Sequence, residues 1–128
     1  MSFCWKDYLQ LANELIESSK NSNIEEAYLR SSISRSYYGI FCIARNYLVD
    51  KKGATIEKDD THKFVREKFI TSNNQSEQIV GEILKNFRFD RNKVDYNDNC
   101  SFNYQYANNI CTWSNCALNK LKNLGANI

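Results

Sequence analysis

A chain of 128 residues is long enough for one domain with a single core and too short for two ordinary ones. Proline is absent and glycine occurs only four times, which removes the usual punctuation of strands and turns and points to an all-helical chain spanning residues 1–128 as one unit. With 17 basic against 15 acidic residues the formal net charge is +2, which excludes a wholly basic nucleic-acid surface and leaves room only for a local basic site.

Trp5, Tyr8, Leu9, Ala12, Leu15 and Ile16 recur at helical spacing and predict a first helix over about residues 3–19, closed by the polar run Ser18 to Asn23. Asn23 followed by Glu26 reads as a capping box for a second helix reaching about Asp50. Small residues (Ser31, Ser32, Ser34, Ser36, Gly39) alternate there with Tyr37, Tyr38, Phe41, Ala44 and Tyr47. The apolar surface therefore wraps nearly the whole helix, predicting a central element contacted on several sides, with a second subunit as one way to cover it. Arg35 and Arg45 interrupt that surface and are expected to reach toward solvent.

Gly53 is placed to end the second helix. A short third helix begins near Asp59, Asp60 or Thr61 and turns Val65, Phe69 and His62 to one side. The fourth, from about Ser76 to Tyr96, carries Ile79, Val80, Ile83, Leu84 and Phe87 as its apolar stripe. A turn follows over Asn97 to Ser101. Phe102, Tyr106, Ile110, Trp113, Ala117, Leu121 and Leu124 then form the stripe of a last helix ending near Gly125. Four long helices, one short one and short connections predict an all-α, antiparallel, up-and-down four-helix bundle with an additional short helix.

The five cysteines are odd in number and form no Cys-x-x-Cys pair, so reduced thiols in a cytoplasmic protein are the expectation. The single histidine, His62, has no company of ligands at zinc spacing, so neither a metal nor another cofactor is expected. No apolar run is long enough to cross a bilayer, and no membrane partner is expected. No Gly-rich phosphate loop or nucleophile motif is present, and the carboxylates are expected on exposed helix faces.

The chemistry concentrates in Arg88-Phe89-Asp90-Arg91-Asn92-Lys93-Val94-Asp95-Tyr96-Asn97-Asp98. Continuing the helical period past Phe87 lands on Arg91 and Val94, so Arg91 points toward the core. A guanidinium on a partly buried face needs a carboxylate or phosphate partner. Asp95, one turn later, is one answer and locks the helix as an ion pair; a ligand phosphate is the other. Metal-free RNA cleavage needs in addition a group to deprotonate the ribose 2′-hydroxyl and one to stabilise charge on the phosphorane. Arg91 suits the second task, while Tyr96, Asp95 and, if the fold brings it near, His62 are the candidates for the first.

The stretch Ala27-Tyr28-Leu29-Arg30-Ser31-Ser32-Ile33-Ser34-Arg35-Ser36-Tyr37-Tyr38-Gly39-Ile40-Phe41, with Asp90-Arg91-Asn92-Lys93-Val94-Asp95-Tyr96 and Thr61-His62-Lys63, resembles the HEPN superfamily, and most of all its small stand-alone prokaryotic proteins. The resemblance covers nearly the whole chain. It implies a helical bundle that forms a homodimer, with motif-bearing helices of two subunits lining a shared cleft. Active members are metal-independent endoribonucleases of toxin–antitoxin or antiviral defence systems, with an arginine followed after four to six residues by a histidine. Here Arg91 and Asn92 match the start of that motif, and Tyr96 stands where the histidine would fall. Other members pair with a small nucleotidyltransferase, which gives the competing expectation of an inactive interaction module. The resemblance and the residues together nominate Arg91, Asp95 and Tyr96 as catalytic, Arg91, Asn92, Arg88 and Arg35 as contacts to RNA or nucleotide phosphate, and His62 and Tyr38 as support.

Overall fold

The computed structural model describes residues 3–128, which are all-helical and hold no strand. The helices are α1 (Lys6–Ser19), α2 (Glu25–Lys52), α3 (Thr61–Ile70), α4 (Gln75–Tyr96) and α5 (Tyr104–Asn123). Three of them start on the side-chain caps that their sequences offer. Asp60 accepts from the Lys63 amide at 3.3 Å, Asn74 from the Glu77 amide at 3.0 Å and Asn103 from the Tyr106 amide at 2.8 Å. The expected capping box at Asn23 does not form: Ile24 occupies the cap position of α2, and Ser22 Oγ accepts from its amide at 3.0 Å, turning the chain one residue later. Gly53 ends α2 at φ 65°, and the Ala54 amide reaches back to Leu48 O at 3.0 Å. That left-handed backbone suits a residue without a Cβ.

α2 touches all four other helices. Its core residues include Leu29, Ile33, Tyr37, Ile40, Phe41 and Tyr47, all buried within one chain. The aromatic girdle of α2 is thus consumed internally and calls for no second subunit, contrary to the reason for expecting one there. Small residues set how close the neighbours come. A Cβ on Gly39 would lie 2.7 Å from Leu9 Cδ2, and one on Gly81 would lie 2.7 Å from the Ile70 amide nitrogen. Ser32 Oγ donates to Ala12 O at 2.8 Å, and the oxygens of Ser32 and Ser36 each lie 3.8 Å from Cys111 Sγ.

That small-on-small contact corrects the predicted stripe of α5. The buried face runs through Ala107, Ile110, Cys111, Ser114, Ala117 and Leu121, while Trp113 is 54% exposed. An indole would not fit where Cys111 meets two serines, so the helix is turned to leave it outside. A second correction concerns the carboxylates. Glu77 is buried, accepting from Tyr47 Oη at 2.6 Å and from Ser72 Oγ, with Lys52 Nζ 3.3 Å away. Burial pushes its pKa up, yet these partners together outweigh burial and hold it below the ordinary carboxylate value. No helix is long and apolar enough to cross a membrane among the described residues.

Candidate functional site

Arg91 is half-buried on the last turns of α4, and its guanidinium is held by side chains. Nη2 donates to Tyr38 Oη, and Nη1 donates to Asn92 Oδ1 at 3.3 Å. Nε lies 3.0 Å from Asp95 Oδ2, close enough for an ion pair, yet its N–H is not aimed along that line and the buried atom makes no hydrogen bond. The cation is also surrounded by rings: Cζ is 5.1 Å from the centroid of Tyr38 and 5.9 Å from those of Tyr37 and Tyr96. Of the two readings of Arg91 from the sequence, the Asp95 pair forms, and it leaves one donor, Nε, without an aligned acceptor.

The fold brings His62 into this cluster. The first turn of α3, fixed by the Asp60 cap, lays the imidazole on Phe41 with centroids 4.1 Å apart and planes 18° apart. His62 Nδ1 is hydrogen-bonded to Tyr37 Oη, and its ring meets that of Tyr38 edge-on at 6.3 Å. Tyr37 and Tyr38 thus stand between the imidazole and the guanidinium, with ring centroids 5.4 Å apart. Burial lowers the pKa of His62 first, and the positive charges of Arg88 and Arg91 lower it further, against a smaller opposite pull from Asp60. Burial pushes Tyr37 up to about 12, so it remains a phenol at neutral pH. With Nδ1–H donating to Tyr37, Nε2 of a neutral imidazole carries a lone pair; the opposite tautomer would place the proton there.

Arg88 is half-buried and, with Arg66, Lys85 and Asn92 and the acidic Glu67 and Glu82, lines a mixed-charge groove of about 440 Å³ between α3 and α4. Asn92 faces this groove and also accepts from Arg91, so groove and guanidinium are continuous. Phe89 and Tyr96 lie beside it, 63% and 74% exposed. Tyr96 is the last residue of α4 and brings its ring to Arg91. Arg35 lies elsewhere: its guanidinium sits 5.1 Å over the Tyr8 ring on α1, and no hydrogen bond, ion pair or cation–π contact among the described residues joins it to Arg91.

One residue that holds the site carries no role in the sequence reading. Arg30 reaches from α2 to the end of α4, where Nη1 donates to Val94 O at 2.9 Å and Nη2 donates to Asn97 O at 3.0 Å and to Cys100 O. Its Nε donates to Glu26 Oε2 at 2.8 Å, and Phe102 lies under the guanidinium at 5.1 Å. The last carbonyls of a helix lack intrahelical donors, and Arg30 supplies them, fixing the turn on which Arg91 and Asp95 stand. The only local signal was Glu26 four residues before it, which also marks an ordinary surface pair. In comparison with known proteins, no family model, curated protein or solved structure matches this chain.

Proposed function

We propose that this chain is a HEPN-type antiparallel up-and-down bundle that binds RNA or a nucleotide through Arg91 as a homodimer, and that it cleaves RNA without a metal in a toxin–antitoxin or antiviral setting. The observation that carries this reading is the proximity of a phosphate-suited guanidinium to an imidazole biased toward its neutral form. The arginine is held only by groups that can rotate aside, and the α3–α4 groove, where Arg66, Lys85 and Arg88 outnumber Glu67 and Glu82 by one charge, leads to it through Asn92. The family resemblance supplies the class of reaction, and the described residues are all-helical, the fold class that the resemblance implies. The exposed rings of Phe89 and Tyr96 next to the site support a second subunit there.

In this reading the phosphodiester docks on Arg91, displacing Asn92 from Nη1 and Asp95 from the side of Nε and taking both donors with its oxygens. Nε2 of His62 takes the proton of the ribose 2′-hydroxyl, the 2′-oxygen attacks phosphorus, and the bond to the 5′-oxygen breaks. A 2′,3′-cyclic phosphate and a 5′-hydroxyl end result, the leaving oxygen acquiring its proton from Tyr96 or water. Arg91 stabilises the added negative charge of the phosphorane. His62 thus takes the place of the histidine that the motif lacks after Arg91.

The test is cleavage of a mixed-sequence RNA in the presence of EDTA. Cleavage that persists in EDTA and falls by roughly 10²–10³-fold in Arg91→Ala supports the reaction, on the scale of losing one charge-stabilising donor. Tyr96→Phe tests only the leaving-group proton, and activity that survives it assigns that proton to water. A folded protein that cleaves no RNA would sink the enzymatic reading. The competing function, a non-catalytic helical module binding a nucleotidyltransferase-type partner, is favoured by one observation: the histidine position is filled by Tyr96, whose exposed ring suits a protein contact.

A further inference from the structure

Away from Arg91, an open groove of about 610 Å³ lies between α4 and α5. Its α4 wall is a single helical stripe from Gln75 through Ile79, Ile83 and Phe87 to Asp90. That stripe covers fifteen residue steps, roughly 22 Å at the helical rise. The opposite wall is Tyr106, Ile110 and Trp113 on α5. Two adjacent helices that each present a stripe leave a trough with the dimensions of a third helix. Small-molecule sites enclose most of the ligand's surface, whereas this trough is open along its length.

Charge narrows the occupant. Glu82 and Asp90 are the only charged side chains lining this groove, and neither forms an ion pair among the described residues. Glu82 also borders the mixed-charge α3–α4 groove, but no cation there lies within ion-pair distance of it. Asp90 is half-buried and accepts a hydrogen bond from Tyr106 Oη; burial raises its pKa, and that hydrogen bond and the charge of Lys93 offset the rise only in part. A carboxylate in that position is under-compensated and gains from an incoming cation. The two acids are eight residues apart on α4, about 12 Å, or two turns of a helix lying alongside. Trp113, left outside by the serine–cysteine packing of α5, supplies the large exposed aromatic that anchors partner helices in such grooves.

We infer that the α4–α5 groove is a docking site for an amphipathic helix of a protein partner, which seats its apolar face on Ile79, Ile83, Ile110 and Trp113 and pairs two basic side chains with Glu82 and Asp90. This site is independent of the Arg91 reading. The chain's formal net charge of +2 gives a cationic peptide no general attraction, so its capture would be specific to the acidic groove.

The probe is a leucine–lysine peptide of roughly four helical turns with leucines at i, i+3, i+4 and i+7, titrated into full-length protein carrying Trp5→Phe so that Trp113 is the sole tryptophan. The expected result is a saturable blue shift of Trp113 emission, with affinity about tenfold weaker in the Glu82→Gln/Asp90→Asn double variant. Asparagine keeps an acceptor for Tyr106, and circular dichroism verifies that the fold is retained. Ile79→Asp, a change at the half-buried rim, weakens binding by itself. Equal binding of a leucine–glutamate peptide of the same pattern overturns the proposal, as does unchanged affinity in the double variant. So does the lack of any shift in folded protein. Self-association by light scattering that Trp113→Glu abolishes would identify a second copy as the occupant, and that too overturns it.

Discussion

Arg30 and Arg91 sit at the same end of the α2–α4 contact, and burial does not separate them: their side chains are 21% and 16% exposed. Their acceptors do. Apart from Glu26, Arg30 donates to main-chain carbonyls at the end of α4 and in the turn that follows. Those oxygens cannot leave without unwinding the helix end. Arg91 is held by the hydroxyl of Tyr38, the amide of Asn92 and the carboxylate of Asp95, each of which can swing away about its own side-chain bonds. An arginine bound to backbone is a fixture; one bound to side chains can exchange those partners for a ligand. What accepts the hydrogen bonds thus separates a guanidinium fixed in the fold from one free to exchange partners, the property that the proposed role of Arg91 requires.

The largest effect that sharpens this contrast is on stability. Arg30→Ala removes the donors for several partly buried carbonyls together with a stacked ring, and is expected to cost about 2–4 kcal/mol, the range for breaking a network of charge-assisted hydrogen bonds. Urea denaturation followed by circular dichroism measures it. Arg91→Ala in the same experiment should lose much less. If the two variants lose equal stability, Arg91 is a second fixture and the contrast fails.

A smaller effect appears in the titration of His62, the only histidine of the chain, which gives a single resolvable imidazole signal by NMR. Its midpoint is expected below the ordinary 6.5, because burial and the charges of Arg88 and Arg91 disfavour the imidazolium. Arg91→Gln removes one of those charges and should move the midpoint back up, whereas Arg35→Gln should leave it in place. The sign for stability follows. The unfolded chain binds a proton near pH 6.5 and the folded one only at lower pH, so this contribution is complete above 6.5 and is lost as the pH falls through the folded value. An unmoved midpoint in Arg91→Gln would show that the guanidinium and imidazole do not share a site.

Helix positions were readable because the signals were local. Apolar residues repeat every three or four positions, Asp60 is among the caps expected for α3, and Gly53 stops α2. The inward turn of Arg91 came from the same period. What escaped depends on which neighbour a face meets. The exposure of Trp113 is decided by serines on α2 some 80 positions earlier, and the burial of Glu77 by Tyr47 and Lys52. The role of Arg30 leaves no mark in the sequence, because its acceptors are main-chain oxygens about 65 residues away, which carry no residue-type signature at all. Likewise His62 could be nominated only conditionally, since α3 had to be placed against Tyr37 and Phe41 before its ring had any relation to Arg91.

The smallest effect is the most discriminating for Arg91 itself. A double-mutant cycle with Arg91→Gln and Asp95→Asn measures the coupling of the pair. An i,i+4 ion pair open to solvent on one side, with its Nε–H out of line, is expected to contribute only about 0.3–0.5 kcal/mol. That weakness is what a binding site needs, because every increment of Arg91–Asp95 attraction must be overcome when a phosphate arrives. Asp95→Asn should therefore leave stability almost unchanged while raising the affinity for a short oligoribonucleotide, as the competing carboxylate is gone. A coupling of 2 kcal/mol or more, with no gain in affinity, would instead make the pair a lock on α4 and place Arg91 beside Arg30 as a support of the fold.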